Sequence, residues 1–219
     1  MDDWLKDFEE MFPEHYNLSK KNKSRSKKVA YFQQISTSED DPLRVDWIDE
    51  ATIDYVGGLG ITILPGRKDS GMGLFRYKRD LIQDIRQLKQ DGVNTLVSLV
   101  EGEEIKWAVK TRAVEFFNQI RKVGINPVWY PIIDMHAPHP KNIRPVIQQL
   151  VQQIRSGKKV VVHCRGGLGR AGTVVGAILI EMGYDPDFSV DAVRGARPGA
   201  IQTQSQEKFL DKYWDLCCK

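Results

Sequence analysis

The sequence predicts an α/β fold with a central, mostly parallel, twisted sheet and helices on both of its faces. Two observations support this prediction. Short apolar runs alternate with segments of helical hydrophobic periodicity from about residue 42 onward, which is typical of strands connected by crossover helices. Several of the helical segments are followed by a glycine that ends them.

The first strand and helix of this series are predicted at residues 60–64 and 77–90. The strand is a β-rich run that a Pro-Gly pair closes, and the helix is stopped by Gly92. Residues 93–100 follow as an apolar strand. Four apolar side chains fall on one face of the helix: Leu81, Ile82, Ile85 and Leu88.

The alternation then repeats up to a glycine-rich loop. Residues 109–123 are predicted to be helical, residues 125–133 form a strand interrupted by two prolines, and residues 146–154 form the next helix. Residues 159–163 form a strand that leads directly into the loop. Residues 171–182 are nearly all apolar, so this helix should lie in the core. Two further helices are predicted at residues 187–194 and 207–216.

The 219 residues are predicted to form one folded domain with an N-terminal extension. Hydrophobic residues make up 41% and charged residues 28% of the chain, which is enough apolar material for a sizeable core. The extension, residues 1–41, begins with apolar side chains at helical spacing. It continues with a basic run at residues 19–28, which we interpret as a solvated linker rather than a partner-binding tail. Residues 42–219 form the predicted domain.

Charge and cysteine content narrow the range of functions. The chain has 32 basic and 29 acidic residues, which is too even a balance to indicate nucleic-acid binding. Its three cysteines, one in the glycine-rich loop and two near the end, form no disulfide framework and indicate a reducing compartment. The first residues lack the order of a signal peptide, and no apolar run approaches the roughly 18 residues of a membrane span. We therefore expect a soluble, cytoplasmic protein with no membrane or nucleic-acid partner.

The loop after the strand at residues 159–163 carries the clearest chemistry. Its glycines let successive backbone N–H groups point inward, and a ring of amides at a helix N-terminus binds anions. Cys164 stands at its entrance and Arg170 follows six positions later, so amides, helix end and guanidinium all favour a thiolate nucleophile. Arg170 can also bind two phosphoryl oxygens. The loop reads His163, Cys164, Arg165, Gly166, Gly167, Leu168, Gly169, Arg170.

His-Cys, five residues and Arg, between a strand and a helix, resemble the signature of the protein tyrosine phosphatase superfamily. The resemblance implies that residues 42–219 hydrolyse phosphotyrosine, and phosphoserine or phosphothreonine, through a cysteinyl-phosphate on Cys164. It implies a phosphoprotein substrate, a monomeric catalytic domain and no metal or other cofactor. His163 would support the loop. The phosphate would be bound by Arg165, Gly166, Gly167, Leu168, Gly169 and Arg170.

Two other segments are similar to motifs of this superfamily. Asp134 precedes Cys164 by thirty residues, the separation expected of the dual-specificity branch, which implies that Asp134 is the general acid and then the general base. Gln202 and Gln206 match a Gln-Thr-x-x-Gln stretch, which implies that Gln202 positions the hydrolytic water with support from Gln206. Within the branch, the likeness from residue 42 to residue 213 is to the kinase-associated phosphatase family.

One position departs from the family pattern. Ala171 follows Arg170, where the family usually has a Ser or Thr hydroxyl that stabilises the departing thiolate. We therefore predict normal formation but slower breakdown of the phosphoenzyme. The loop carries Arg165 and no lysine, unlike the loops of the family's lipid phosphatases, and this favours a protein substrate while leaving an acidic or polyphosphorylated one open.

Other functions remain as alternatives. A rhodanese-type sulfurtransferase also has a cysteine in an anion cradle, but its mechanism does not need Asp134 or Gln202. An arsenate reductase of the low-molecular-weight type would place its cysteine near the N-terminus, before the aspartate. A non-catalytic phosphoprotein-binding module would commonly have lost Cys164 or Arg170, and this chain keeps both.

Overall fold

The computed structural model describes residues 34–51, 57–69 and 75–217. The predicted apolar start of the extension, the basic run at residues 19–28 and Cys218 lie outside the described residues. The predicted domain boundary near residue 42 stays a prediction. The described residues just before it include a strand, at Gln34–Ser36, that pairs with residues 75–77.

The strands form one five-stranded and one two-stranded sheet. The central sheet has the order β2-β3-β7-β5-β6, and all its neighbours are parallel except the edge pair β2 and β3. The predicted mostly parallel sheet is thus confirmed. The strands are β1 (Gln34–Ser36), β2 (Asp46–Trp47), β3 (Gly58–Thr62), β4 (Phe75–Tyr77), β5 (Val93–Ser98), β6 (Asn126–Trp129) and β7 (Lys159–His163).

The helices begin where the sequence supplies caps. The carboxylate of Asp80 accepts a hydrogen bond from the backbone N–H of Gln83 at the start of α1, and Asp185 caps α6 in the same way. The short helix α2 was not predicted. The helices are α1 (Leu81–Gln90), α2 (Gly102–Ala108), α3 (Ala113–Lys122), α4 (Pro140–Arg155), α5 (Gly169–Met182), α6 (Pro186–Ala196) and α7 (Gln204–Cys217).

Two apolar cores cover the two faces of the central sheet. Helices α1 to α3 pack on one face, and helices α4 to α7 pack on the other. In β7 the side chains alternate between them, with Val161 in the first core and Val160 and Val162 in the second. All residues of α5 except Glu181 are buried, as the apolar sequence predicted. No described helix has the length and apolar character needed to cross a membrane.

Three neighbouring parallel strands end at the same level. Thr62 of β3 and Ser98 of β5 are both paired with His163, the last residue of β7. The loops that follow these strands therefore meet at the carboxyl edge of the sheet, which is where open α/β sheets bind ligands.

Candidate active site

The glycine-rich loop connects β7 to α5 at this edge, and its carbonyl groups are bonded on the outside. The backbone N–H of Leu64 donates to the carbonyl oxygen of Arg165 at 3.3 Å. Arg197 donates to the carbonyl oxygens of Gly166 (3.1 Å) and Gly167 (3.3 Å). Because the C=O and N–H of a trans peptide point in opposite directions, the amides of these peptides face the inside of the loop. The local structure therefore has the geometry of an anion cradle.

The glycines of the loop serve different purposes. Gly167 has a φ of +65°, and a Cβ atom there would lie 2.6 Å from the carbonyl oxygen of Thr62. A Cβ at Gly169 would lie 2.9 Å from the side-chain oxygen of Gln202. Gly166 has neither a positive φ nor an atom near its missing Cβ. Thus Gly167 is required by the backbone turn, a methyl group at residue 169 would displace the Gln202 side chain, and Gly166 is under neither constraint.

Arg197 is a site residue that the sequence reasoning missed as such. It lies just after α6, and besides its two bonds to the loop it binds the carboxylate of Asp46 in β2 at 2.6 Å. Arg67 adds a longer contact, 3.4 Å from the carbonyl oxygen of Arg165. The only sequence signal was the Arg-Pro-Gly stretch at residues 197–199, which indicates a turn but no contact with the loop.

Arg170 lies beneath the loop and is only 2% exposed. It is held by α2 and by the segment that follows β6. Its two terminal nitrogens bind the two carboxylate oxygens of Glu104 at 2.6 and 2.9 Å. One of them also donates to the carbonyl oxygen of Ile132 at 3.0 Å. Burial lowers the pKa of the Arg170 guanidinium, but the hydrogen bonds that it donates to Glu104 and the negative charges of Cys164 and Asp134 raise it above its ordinary value. Arg170 therefore stays charged in a fixed orientation.

Glu104 is the second site residue that was missed. It is the third residue of α2, and its side chain accepts from the backbone N–H of Glu101 while it binds Arg170, so one carboxylate completes a capping box and holds the guanidinium. Burial raises the pKa of Glu104, but the hydrogen bonds from Arg170 and Glu101 outweigh it and hold the pKa below its usual value. The available signal was the cluster of three glutamates within the four residues after an apolar strand.

Asp134 lies at the mouth of the site. Its carboxylate is 47% exposed and makes ion pairs with Arg170 at 3.0 Å and with Arg165 at 3.7 Å. The next residue, Met135, has a φ of +62°, a left-handed conformation that costs a non-glycine residue free energy and is concentrated at functional sites. This tight turn directs the Asp134 side chain toward the loop.

Gln202 and Gln206 connect the loop to the Asp134 segment. The side-chain oxygen of Gln202 accepts from the backbone N–H of Gly169 at 3.1 Å. The fully buried Gln206 accepts from the backbone N–H of Gln202 at 2.8 Å and donates to the carbonyl oxygen of His136 at 3.4 Å. Ile201, just before Gln202, has a φ of +58°. The structure thus brings together the residues that the sequence singled out.

His163 supports the loop from below. Its Nδ1 lies 3.2 Å from the carbonyl oxygen of Cys164, and the ring is fully buried. Burial lowers the pKa of His163 to about 4, so the ring is neutral near neutral pH. Cys164 itself is 3% exposed. Within the described ranges there is no group of three or more His, Cys, Asp or Glu side chains that could hold a metal ion.

Comparisons with known proteins identify the family. A family profile described as "Polymorphic toxin system, DSP-PTPase phosphatase" matches residues 70–184, just over half of the chain. Cyclin-dependent kinase inhibitor 3 of Sus scrofa is 28% identical over 181 residues, which is 81% of each chain. Protein tyrosine phosphatase type IVA 2 of Mus musculus is 32% identical over 129 residues, 58% of this chain and 70% of the other.

This chain belongs to the dual-specificity branch of the protein tyrosine phosphatase superfamily. It is a protein phosphatase, and the cysteinyl-phosphate mechanism is general to this family. The predicted superfamily and the predicted likeness to kinase-associated phosphatase are both confirmed.

Solved phosphatases share the fold. A structure of kinase associated phosphatase, with its catalytic site cysteine replaced by serine, has a TM-score of 0.70 at 23% identity and covers 80% of this chain and 96% of that one. Tk-PTP in its active form has a TM-score of 0.60 at 26% identity and covers 78% and 96%. The phosphatase fold therefore extends over most of the described residues.

Proposed function

We propose that Cys164 is the nucleophile of this phosphatase. The Cys164 thiolate attacks the phosphorus of a phosphorylated side chain, so that a sulfur–phosphorus bond forms and the bond to the side-chain oxygen breaks. The amides of the loop and the Arg170 guanidinium bind the equatorial oxygens, with Arg165 at the edge of the phosphate site. Asp134 gives its proton to the departing oxygen. His163 supports the Cys164 carbonyl from behind.

The second step reverses these proton transfers. Gln202 orients a water molecule, Asp134 as a carboxylate takes one of its protons, and the water oxygen bonds to phosphorus. The sulfur–phosphorus bond breaks, and inorganic phosphate and the thiolate are released. Gln206 holds Gln202 and the Asp134 segment together through its two hydrogen bonds.

One observation carries this assignment. Arg170, buried and held by Glu104, lies within 3.0 Å of the Asp134 carboxylate at the base of the loop that begins with Cys164. An anion-binding group and an acid are thus in direct contact at the loop that carries the nucleophile. A sulfurtransferase mechanism would have no use for Asp134 at this position.

A shallow site supports a substrate range that includes phosphoserine and phosphothreonine. The Asp134 carboxylate is about half exposed and contacts Arg170 directly at 3.0 Å. The phosphate-binding guanidinium is therefore buried beneath a single exposed side chain. A short phosphorylated side chain reaches that depth as well as a phosphotyrosine does. We propose a phosphoprotein as the substrate and residues 42–219 as a monomeric catalytic unit that needs no cofactor.

The test is to replace Cys164 by serine and to compare it with Cys217→Ser. Cys217 is a second thiol, whose sulfur donates to the carboxylate of Glu181 at 3.0 Å, at the end of α5 opposite to the loop. We expect Cys164→Ser to abolish turnover of p-nitrophenyl phosphate and of phosphotyrosine, phosphothreonine and phosphoserine peptides while still binding them, and Cys217→Ser to retain turnover. Turnover retained by Cys164→Ser would contradict the assignment, and thiosulfate:cyanide activity without phosphatase activity would indicate a sulfurtransferase.

A further inference from the structure

Three bulky apolar side chains are exposed beside the Asp134 carboxylate and Arg165. Trp107 is 40% exposed, Ile133 61% and Met135 48%. We call these three residues the apolar rim. Exposed apolar side chains that are grouped beside a polar site mark binding surfaces more often than isolated ones do.

The rim residues are connected through the catalytic residues. Ile133 and Met135 flank Asp134 in sequence, and the Asp134 carboxylate lies 3.7 Å from the Arg165 guanidinium. The same guanidinium lies over the Trp107 ring, 5.3 Å from its centroid. The rim therefore combines the segment after β6 with α2, and Arg165 lies between the two.

Trp129 is exposed to a similar degree but is engaged elsewhere. Its indole N–H donates to the carbonyl oxygen of Val100 at 2.9 Å, and its ring packs against Phe117 with the centroids 5.0 Å apart. The three rim residues, in contrast, lie on the segment that carries Asp134 and on the helix whose Trp107 contacts Arg165.

The shallow depth of the site makes the surrounding rim important for substrate selectivity. Because the Asp134 carboxylate that contacts the buried Arg170 is itself about half exposed, the site is shallow and a phosphorylated side chain buries little area in it. Most of the selectivity must then come from the residues on either side of the phosphorylated one. Arg165, which could have attracted an acidic neighbour, is assigned to the edge of the phosphate site and lies over Trp107. The chemistry that remains available to a flanking residue is therefore apolar.

We infer that the apolar rim binds a bulky apolar side chain next to the phosphorylated residue of the substrate, so that this phosphatase prefers phosphorylated sites flanked by residues such as Leu, Met or Phe. This inference rests on the proposed function. Partial burial of one leucine side chain on the rim corresponds to about a fivefold gain in kcat/KM.

The test uses pairs of phosphopeptides that differ only in a leucine or a serine next to the phosphorylated residue. We expect the wild-type protein to favour the leucine peptide by about fivefold. The preference should fall toward unity in Ile133→Ser and in Trp107→Ser. It should persist in Phe188→Ser, a matched control that removes an exposed apolar side chain of α6, where Phe188 stacks on Tyr184 away from the site.

Each variant is compared through its own ratio of kcat/KM for the two peptides, so a general loss of activity does not change the result. Phe188→Ser, which changes a residue away from the site, should also turn over p-nitrophenyl phosphate as the wild type does. Equal kcat/KM for both peptides, or a leucine preference that survives in both rim variants, would overturn the inference. Failure of the proposed function is a different result, since the wild type would then hydrolyse neither peptide nor p-nitrophenyl phosphate.

Discussion

The residue after Arg170 determines whether a side-chain hydroxyl can stabilise the Cys164 sulfur as it leaves phosphorus. Ala171 is fully buried at the start of α5 and carries no donor. Thr173, two positions on, already donates its hydroxyl to the carbonyl oxygen of Gly169 at 2.8 Å. A hydrogen bond to a charged group contributes about 1.5–3 kcal/mol. The thiolate of this chain lacks such a bond from residue 171, and Thr173 is engaged within its own helix.

We therefore predict that the phosphoenzyme accumulates in the wild type and that Ala171→Ser hydrolyses it about tenfold faster. Rapid-quench experiments measure phosphorylated Cys164 and the released leaving group. We expect a burst of leaving group and a matching amount of phosphoenzyme in the wild type, and smaller amounts of both in Ala171→Ser. Thr173→Val, which removes the hydroxyl that is already engaged, is the control and should leave the breakdown rate unchanged. A wild-type enzyme without a burst would contradict the prediction.

Among individual residues, the sequence predicted those whose chemistry is contained in a short motif. Cys164, Arg170 and their glycines are close in sequence, and their spacing alone indicated an anion cradle. Glu104 and Arg197 were missed because their contacts join distant positions: Glu104 binds Arg170 across 66 residues, and Arg197 binds Gly166 across 31. Only the packing of α2 and of the turn after α6 brings these side chains to the loop.

The turn between β7 and α5 depends more on Gly167 than on the adjacent Gly166. Gly167→Ala would place a Cβ 2.6 Å from the carbonyl oxygen of Thr62 in a left-handed backbone, and neither atom can move without disturbing β3. We predict a loss of about 2–4 kcal/mol in the free energy of unfolding and of most activity. Gly166→Ala, with no atom within 4 Å of the added methyl, should change stability by less than about 1 kcal/mol.

Urea unfolding followed by tryptophan fluorescence measures both changes, and turnover of p-nitrophenyl phosphate reports on the loop. The comparison controls for the loss of a glycine as such, since the two positions are adjacent. Equal stability of the two variants would show that the turn can relax around a methyl group at residue 167.

Among the elements, the apolar strand and helix on either side of the loop were predicted well, α1 and α3 begin four residues later than predicted, and the shortest elements were not predicted. The strand β7 has the predicted bounds, and α5 begins only two residues before the predicted helix. Helix α2 has seven residues and depends on its capping box, and β1, β2 and β4 have two or three residues each. Such elements are fixed by pairing and tertiary contacts rather than by periodicity. Helix α4 starts at Pro140, earlier than predicted, because proline is favoured in the first turn.

Across the whole molecule, ionisable groups whose pKa values are shifted in the folded protein make folding depend on pH. His163 has a pKa of about 4 in the folded protein, lowered from 6.5 because the ring is buried. As the pH falls below about 6.5, the unfolded chain takes up a proton that the folded protein does not, so the free energy of unfolding decreases until the pH reaches about 4. The full effect of this one group is about 3 kcal/mol. Glu104 and Glu181 act in a lower window: their pKa values are held below 4.5, and their stabilisation is lost as the pH falls through the lowered values.

We predict that this decrease between about pH 6.5 and pH 4.5 belongs mainly to His163. Urea unfolding at several pH values should show the slope in the wild type and in His139→Gln, which replaces an exposed histidine, and a much flatter dependence in His163→Gln. If His163→Gln does not fold, an NMR titration of the His163 ring in the wild type decides the matter, because a buried ring should stay neutral down to about pH 5. A ring that titrates near 6.5 would show that water reaches the base of the catalytic loop, and the support of the Cys164 carbonyl by a neutral imidazole would have to be abandoned.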